Sequence, residues 1–265
     1  MRTSIYTKRL EQQIFSYHGC SLLLTCHRRL CFVQNFQRKC EASSSTMAVL
    51  FLLAALVGCV VARPSSENVT PVEVTLYYES LCYGCRMFVP NQLLPAYTDS
   101  KYRSLISKLT LVPYGWVWVK NATSHDYNCQ HGESECDGNR LHACAIKYIP
   151  DQVTTLEYIS CLDKQGPDNL TFASLQYPID ACQDKLPNGL YSKIMSCYNS
   201  DESWELFQNN GKKTTSFFTT SSFVPYVSFN NKRNDDVAES AVQDFKKELC
   251  KAAGVVDPDC FHKTN

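Results

Sequence analysis

Val72-Glu73-Val74-Thr75-Leu76-Tyr77-Tyr78-Glu79-Ser80-Leu81-Cys82-Tyr83-Gly84-Cys85 holds two signals in direct succession. β-Branched and aromatic residues crowd Val72 to Tyr78, the composition of a strand. Two cysteines two residues apart follow, and Arg86 to Tyr97 continues as a helix with Pro90 inside it and Pro95 near its end. A proline inside a helix removes a backbone bond and bends the axis. The thiol pair is thereby set at a helix N-terminus, where unpaired N–H groups and the macrodipole favour an anion. A cysteine there falls from about 8.5 into the range of roughly 3.5–7.5. Cys82 reads as the attacking thiolate and Cys85, one turn inside, as the resolving thiol that breaks a mixed disulfide. A CxxC alone also suits a structural disulfide or half of a zinc site, so its surroundings must decide.

A second extended run, Leu109 to Val119, follows the helix, and strand, helix, strand begins a parallel unit. Within it Trp116 and Trp118 read as core and sheet packing. Near the C-terminus Phe223-Val224-Pro225-Tyr226-Val227-Ser228-Phe229 returns to strand, with a turn at Asn230-Asn231. One helix then runs from caps at Asn234, Asp235 and Asp236 through Val237, Ala241, Phe245 and Leu249 to Gly254. Between the strand regions, about 120 to 222, the chain is mainly helical and rich in cysteine. Leu141, Cys144, Ala145, Tyr148 and Ile149 share a face ahead of Pro150, and shorter helices are expected at 153–162, 190–198 and 202–209.

The expected class is therefore α/β: a thioredoxin-like fold with a cysteine-rich, mainly helical insertion between the second strand and a proline-led strand. In such a domain the proline ahead of the third strand is cis and faces the CxxC, and Pro225 after Val224 is the candidate. An X–Pro bond gives up only about 0.5–1 kcal/mol to be cis. The N–H and C=O of Val224 would then pair with an extended substrate backbone, as in strand addition. A trans proline on an edge strand is the alternative.

The most apolar stretch, Ala48 to Ala62, follows Met47 and ends in small residues that a signal peptidase accepts. About 15 apolar residues are too few to span a bilayer. Residues 47–62 read as a signal peptide and 1–46 as an upstream extension outside the fold, with a transit peptide as the rival reading. Residues 63–265 form the domain. Sequons at Asn68, Asn121 and Asn169 agree with the secretory route. Of 15 cysteines, ten lie after Arg63, a density that fits an oxidising compartment. That part carries 19 basic and 24 acidic residues, about −5 at neutral pH. No basic stripe points to nucleic acid, and no second apolar run points to a membrane span.

Cys129-Gln130-His131-Gly132, then Glu135-Cys136, Asn139 and Cys144, resembles the signature of the gamma-interferon-inducible lysosomal thiol reductase family at every fixed position. The resemblance implies a thioredoxin-like reductase of protein disulfides that works at acid pH, in lysosomes or secreted, with active cysteines at Cys82 and Cys85. Zinc needs tighter spacing than this segment offers, so no metal is expected. Cys129, Cys136, Cys144, Cys161, Cys182, Cys197, Cys250 and Cys260 read as structural disulfide formers, with 105 connectivities open. His131 reads as a turn residue before Gly132, with a place near the active face as the alternative. His125 and His142 have less claim.

The expected activity is thiol–disulfide exchange on disulfide-containing proteins. With no GxGxxG motif for a flavin or nicotinamide, no cofactor is expected and an external small-molecule thiol supplies the electrons. The expected location is extracellular, with the lysosome as alternative. The rival class is a secreted, disulfide-stapled binding protein of host defence whose CxxC stays oxidised.

Overall fold

The computed structural model describes residues 69–165, 177–257 and 260, and the backbone of 11–17, 20–27 and 30–36. The three N-terminal segments are β1 (Glu11–Tyr17), β2 (Cys20–His27) and β3 (Leu30–Phe36), an antiparallel sheet in chain order. They lie in a compact unit of their own, residues 1–66. The expected signal peptide, and the sequons at Asn68 and Asn169, fall outside the described residues.

The second unit, residues 67–265, is organised on β4 (Val72–Tyr78). This strand pairs in parallel with β5 (Ile106–Pro113) on one edge and antiparallel with β8 (Tyr226–Phe229) on the other, giving the order β5-β4-β8. Val74 and Leu76 lie opposite Phe229 and Val227, and all four are buried in one apolar cluster with Phe88, Leu93, Leu156, Phe245 and Leu249. A strand covered on both faces reads as a near-continuous apolar run, which is why Val72 to Tyr78 shows little polar alternation.

The β4–β5 crossover is helical from Tyr83 to Thr98 as three segments: α1 (Tyr83–Phe88), a π turn (Val89–Leu93) and α2 (Leu94–Thr98). Pro90 and Pro95 lack the N–H that regular i→i−4 bonding requires, and the wider π turn lies where that ladder is interrupted. A short helix α3 (Ser100–Arg103), capped by Asp99, leads into β5.

Two expectations are corrected here. The run Leu109 to Val119 is not one strand: it breaks at Gly115, whose φ is +63°, so β5 ends at Pro113 and β6 (Val117–Asn121) pairs instead with β7 (Asp126–Cys129) in a separate ribbon. Trp118, expected in the core, is consequently 57% exposed. The C-terminal helix is also two, α8 (Asp235–Gln243) and α9 (Phe245–Ala252), because Asp244 leaves the helical region at φ −153° and its side chain caps the second helix through the Lys247 N–H. Gly254, at φ +74°, ends it.

The insertion is α4 (Glu133–Tyr148), α5 (Gln152–Asp163), α6 (Leu190–Tyr198) and α7 (Asp201–Phe217). Its own core gathers Leu141, Cys144, Ile149, Tyr158, Leu162 and Ile194. Disulfides join Cys129 to Cys136, Cys144 to Cys197, Cys161 to Cys182 and Cys250 to Cys260, and Cys82 and Cys85 are free thiols. Cys144–Cys197 ties α4 to α6 across 53 residues of chain, and a cross-link over so long a loop removes much denatured-state entropy. Replacing both cysteines with alanine is expected to lower stability by about 2–5 kcal/mol, measured by urea unfolding without reductant.

Candidate functional site

Cys82 stands at the N-cap of α1, where its carbonyl accepts the Arg86 N–H at 3.0 Å. Its side chain is half-buried, whereas Cys85, one turn on, is 1% exposed. The Val224–Pro225 peptide is cis, and the Val224 carbonyl accepts from Cys82 Sγ at 3.7 Å. Gly84 permits this approach: a Cβ there would lie 3.1 Å from Pro225 Cδ. Residues 142 positions apart in the chain, Cys82 and Val224, are thus brought together.

The two thiols differ in acidity. Cys82 is lowered to about 7, chiefly by a hydrogen bond from the Cys85 thiol, aided by the Cys85 backbone N–H and the charge of His131, while burial and Glu135 oppose. Burial pushes Cys85 well up, and the neighbouring Cys82 adds to it. A half-buried, acidic thiol in front of a fully buried, protonated one is the asymmetry that thiol exchange uses. The Glu79 N–H donates to Cys85 Sγ at 3.4 Å, a bond that favours the thiolate Cys85 must become.

His131 does not sit in a bare turn. Its Nδ1 is 2.6 Å from Glu135 Oε2 and 3.5 Å from Glu79 Oε2, and both carboxylate side chains are fully buried. The hydrogen bond to Glu135 raises the His131 pKa, so an imidazolium within electrostatic reach of Cys82 is favoured. Glu79 is held by the Trp116 N–H on Oε1 at 2.6 Å. Burial, then the charge of Glu135, lifts its carboxyl to about 9. Gly115 makes the room, since a Cβ there would lie 2.1 Å from Glu79 Cγ.

The cysteine-rich signature therefore docks directly on the end of β4. Asn139 accepts the Ser80 N–H at 2.9 Å and donates to the Tyr114 carbonyl at 3.2 Å, bridging the ends of β4 and β5. Ser80 Oγ donates to the Glu135 carbonyl, and Cys129–Cys136 closes the loop that carries His131. His142 lies apart from this cluster, bonded to Tyr78 and Tyr177 and lowered to about 3 by burial. His125 stacks on Trp204. Asn121 is exposed at the end of β6, its side chain accepting from Thr123 and Ser124.

Glu79 was not singled out by sequence reasoning. The available signal was a carboxylate immediately after an otherwise apolar strand, three residues before the CxxC.

A family model described as gamma interferon inducible lysosomal thiol reductase (GILT) matches residues 73–186. The chain is 32% identical over 184 residues to "Gamma-interferon-inducible lysosomal thiol reductase" of Carassius auratus, covering 69% of each protein. It is 31% identical to the "Gamma-interferon-inducible lysosomal thiol reductase-like protein" of Anopheles gambiae, over 72% of this chain and 80% of that one. It is 32% identical to "Gamma-interferon-responsive lysosomal thiol protein" of Arabidopsis thaliana, over 80% and 83%. Among solved structures, Chlamydia trachomatis DsbA aligns with a TM-score of 0.43 and 14% identity, over 66% of this chain and 86% of that chain.

The raised carboxyl has a consequence for stability. A group whose pKa is higher folded than unfolded contributes stability that is complete below its unfolded value and lost as pH rises through its folded one. For Glu79 that window runs from 4.5 to about 9. The protein is expected to be more stable at pH 5 than at pH 8, and Glu79→Gln to flatten that slope in denaturant melts. An unchanged slope would rule out a protonated Glu79.

Proposed function

The chain belongs to the gamma-interferon-inducible lysosomal thiol reductase family and is a thiol–disulfide oxidoreductase; we propose that it reduces protein disulfides through Cys82 and Cys85. The observation that carries this reading is the pairing of a half-buried Cys82 at a helix start, 3.7 Å from the Val224 carbonyl, with a buried Cys85 behind it.

The Cys82 thiolate attacks one sulfur of a substrate disulfide, and the other sulfur leaves as a thiolate that takes a proton from solvent. Cys85 then loses its proton and attacks Cys82 Sγ. That step closes the Cys82–Cys85 disulfide and releases the second substrate thiol. Two equivalents of a small-molecule thiol return the pair to the dithiol by the same chemistry. The Val224 backbone beside Cys82 supports docking of an extended polypeptide, and Tyr83 and Met87, 47% and 43% exposed on α1, give it apolar surface to lie on.

An acidic or extracellular compartment suits this chemistry. A thiol titrating near 7 is about 1% ionised at pH 5, roughly thirtyfold more than an ordinary cysteine near 8.5. Four disulfides accord with a secretory route. Among the described residues no helix is long and apolar enough to cross a membrane.

Cys82→Ser is expected to abolish reduction of a disulfide-bonded protein substrate at pH 5 and pH 7, and Cys85→Ser to accumulate a mixed disulfide visible on a non-reducing gel. Alkylation of Cys82 by iodoacetamide is expected to rise through pH 7 and level off above it. Equal reduction rates for the native protein and Cys82→Ser would refute the proposal.

A further inference from the structure

We propose that Glu79, His131 and Glu135 form a binding site for a divalent transition-metal cation of the zinc class, beside the thiol pair. Three observations support it. The ligand atoms, one from each residue, lie within 4.8 Å of one another. Each carboxylate has one oxygen committed to the backbone: Glu79 Oε1 to the Trp116 N–H and Glu135 Oε1 to the His131 N–H. The other oxygen of each faces the same imidazole nitrogen. Glu79 Oε2 is moreover fully buried without any hydrogen-bond donor, so one lone pair at the centre of the cluster is unused.

The donor set fits the cation. Zinc takes imidazole nitrogen and carboxylate oxygen at about 2.0–2.2 Å, which puts tetrahedral ligand atoms about 3.4 Å apart. His131 Nδ1 and Glu79 Oε2 already stand 3.5 Å apart, while Nδ1 and Glu135 Oε2, now 2.6 Å apart in a hydrogen bond, must open by less than 1 Å. On binding, the cation displaces two protons to solvent, the one held between Nδ1 and Glu135 and the one on the Glu79 carboxyl. Two carboxylates and a neutral imidazole carry −2, matching the dication.

Access and rigidity also agree. The His131 side chain is 22% exposed, giving an entry path and a fourth, solvent-facing position, the three-plus-one pattern of open zinc sites. The backbone donors to both carboxylates and the Cys129–Cys136 bridge hold the ligands in place, as outer partners of metal ligands do. All eight cysteines of the bridges are covalently paired, so this site draws on oxygen and nitrogen rather than on the thiols a cysteine-rich segment suggests.

The test is a zinc chloride titration by calorimetry on the full chain carrying Cys82→Ser and Cys85→Ser, which removes the competing thiol pair. Glu79→Gln and His131→Gln, each added to that background, are expected to lose one equivalent of zinc or to bind it more than about tenfold more weakly. His125→Gln is expected to leave binding unchanged. Glutamine at 79 keeps the acceptor for Trp116 N–H, and far-UV circular dichroism and melting temperature check the fold; should it be perturbed, the partly exposed His131→Gln decides. Cobalt(II) in place of zinc is expected to give a visible spectrum of nitrogen and oxygen ligation that vanishes in the same two variants. Equal stoichiometry and affinity in the parent and both folded variants would overturn the site, whatever the reductase assay shows.

Discussion

Everything at the candidate site depends on β4 being hydrogen-bonded along both edges. A strand clamped between β5 and β8, with both faces in the core, delivers its last residue to a fixed point. The chain leaves Tyr78 with almost no freedom and turns through Glu79, Ser80 and Leu81 into the first turn of α1. Cys82 inherits its position from that geometry, and the same sheet brings Val224 to it, because β8 pairs with β4 immediately after Pro225.

The second constraint is electrostatic. The turn between β4 and α1 is closed by the insertion, and Asn139, Glu135 and the loop of His131 are its lid from below. Burying two carboxylates so close together is costly unless one is neutral or a cation intervenes, and the imidazole of His131 is the nearest compensating group. The signature residues thus act as one unit: a bridge that shapes the loop, a histidine that carries charge, an acid that fixes the histidine and an asparagine that holds the backbone.

Much of this was legible in the chain itself. The CxxC behind an apolar run, the Val224–Pro225 pair ahead of a strand and the helical face of Leu141 to Ile149 are local patterns, and the structure contains each element. What escaped depends on contacts between distant segments. Glu79 looks like a solvated strand end, because its burial comes from Trp116, His131 and Glu135, 37 to 56 positions away. The break at Gly115 was hidden because β-branched and aromatic residues continue on both sides of it, and only the sign of one φ separates two strands from one. Asp244 leaves no mark in the sequence for a related reason: apolar spacing persists across it, while a single extended residue restarts the helix.

A thiol–disulfide oxidoreductase is also exposed to its neighbours of the same kind. Exchange requires a thiolate to reach a sulfur in line, and here Cys129, Cys136, Cys144, Cys197, Cys250 and Cys260 are each no more than 3% exposed. Three bridges are thereby sealed from attack by another copy. Cys161–Cys182 is the least covered of the four, with Cys161 half-buried and Cys182 8% exposed. Self-inflicted reduction among these bonds begins at Cys161, near the C-terminal end of α5.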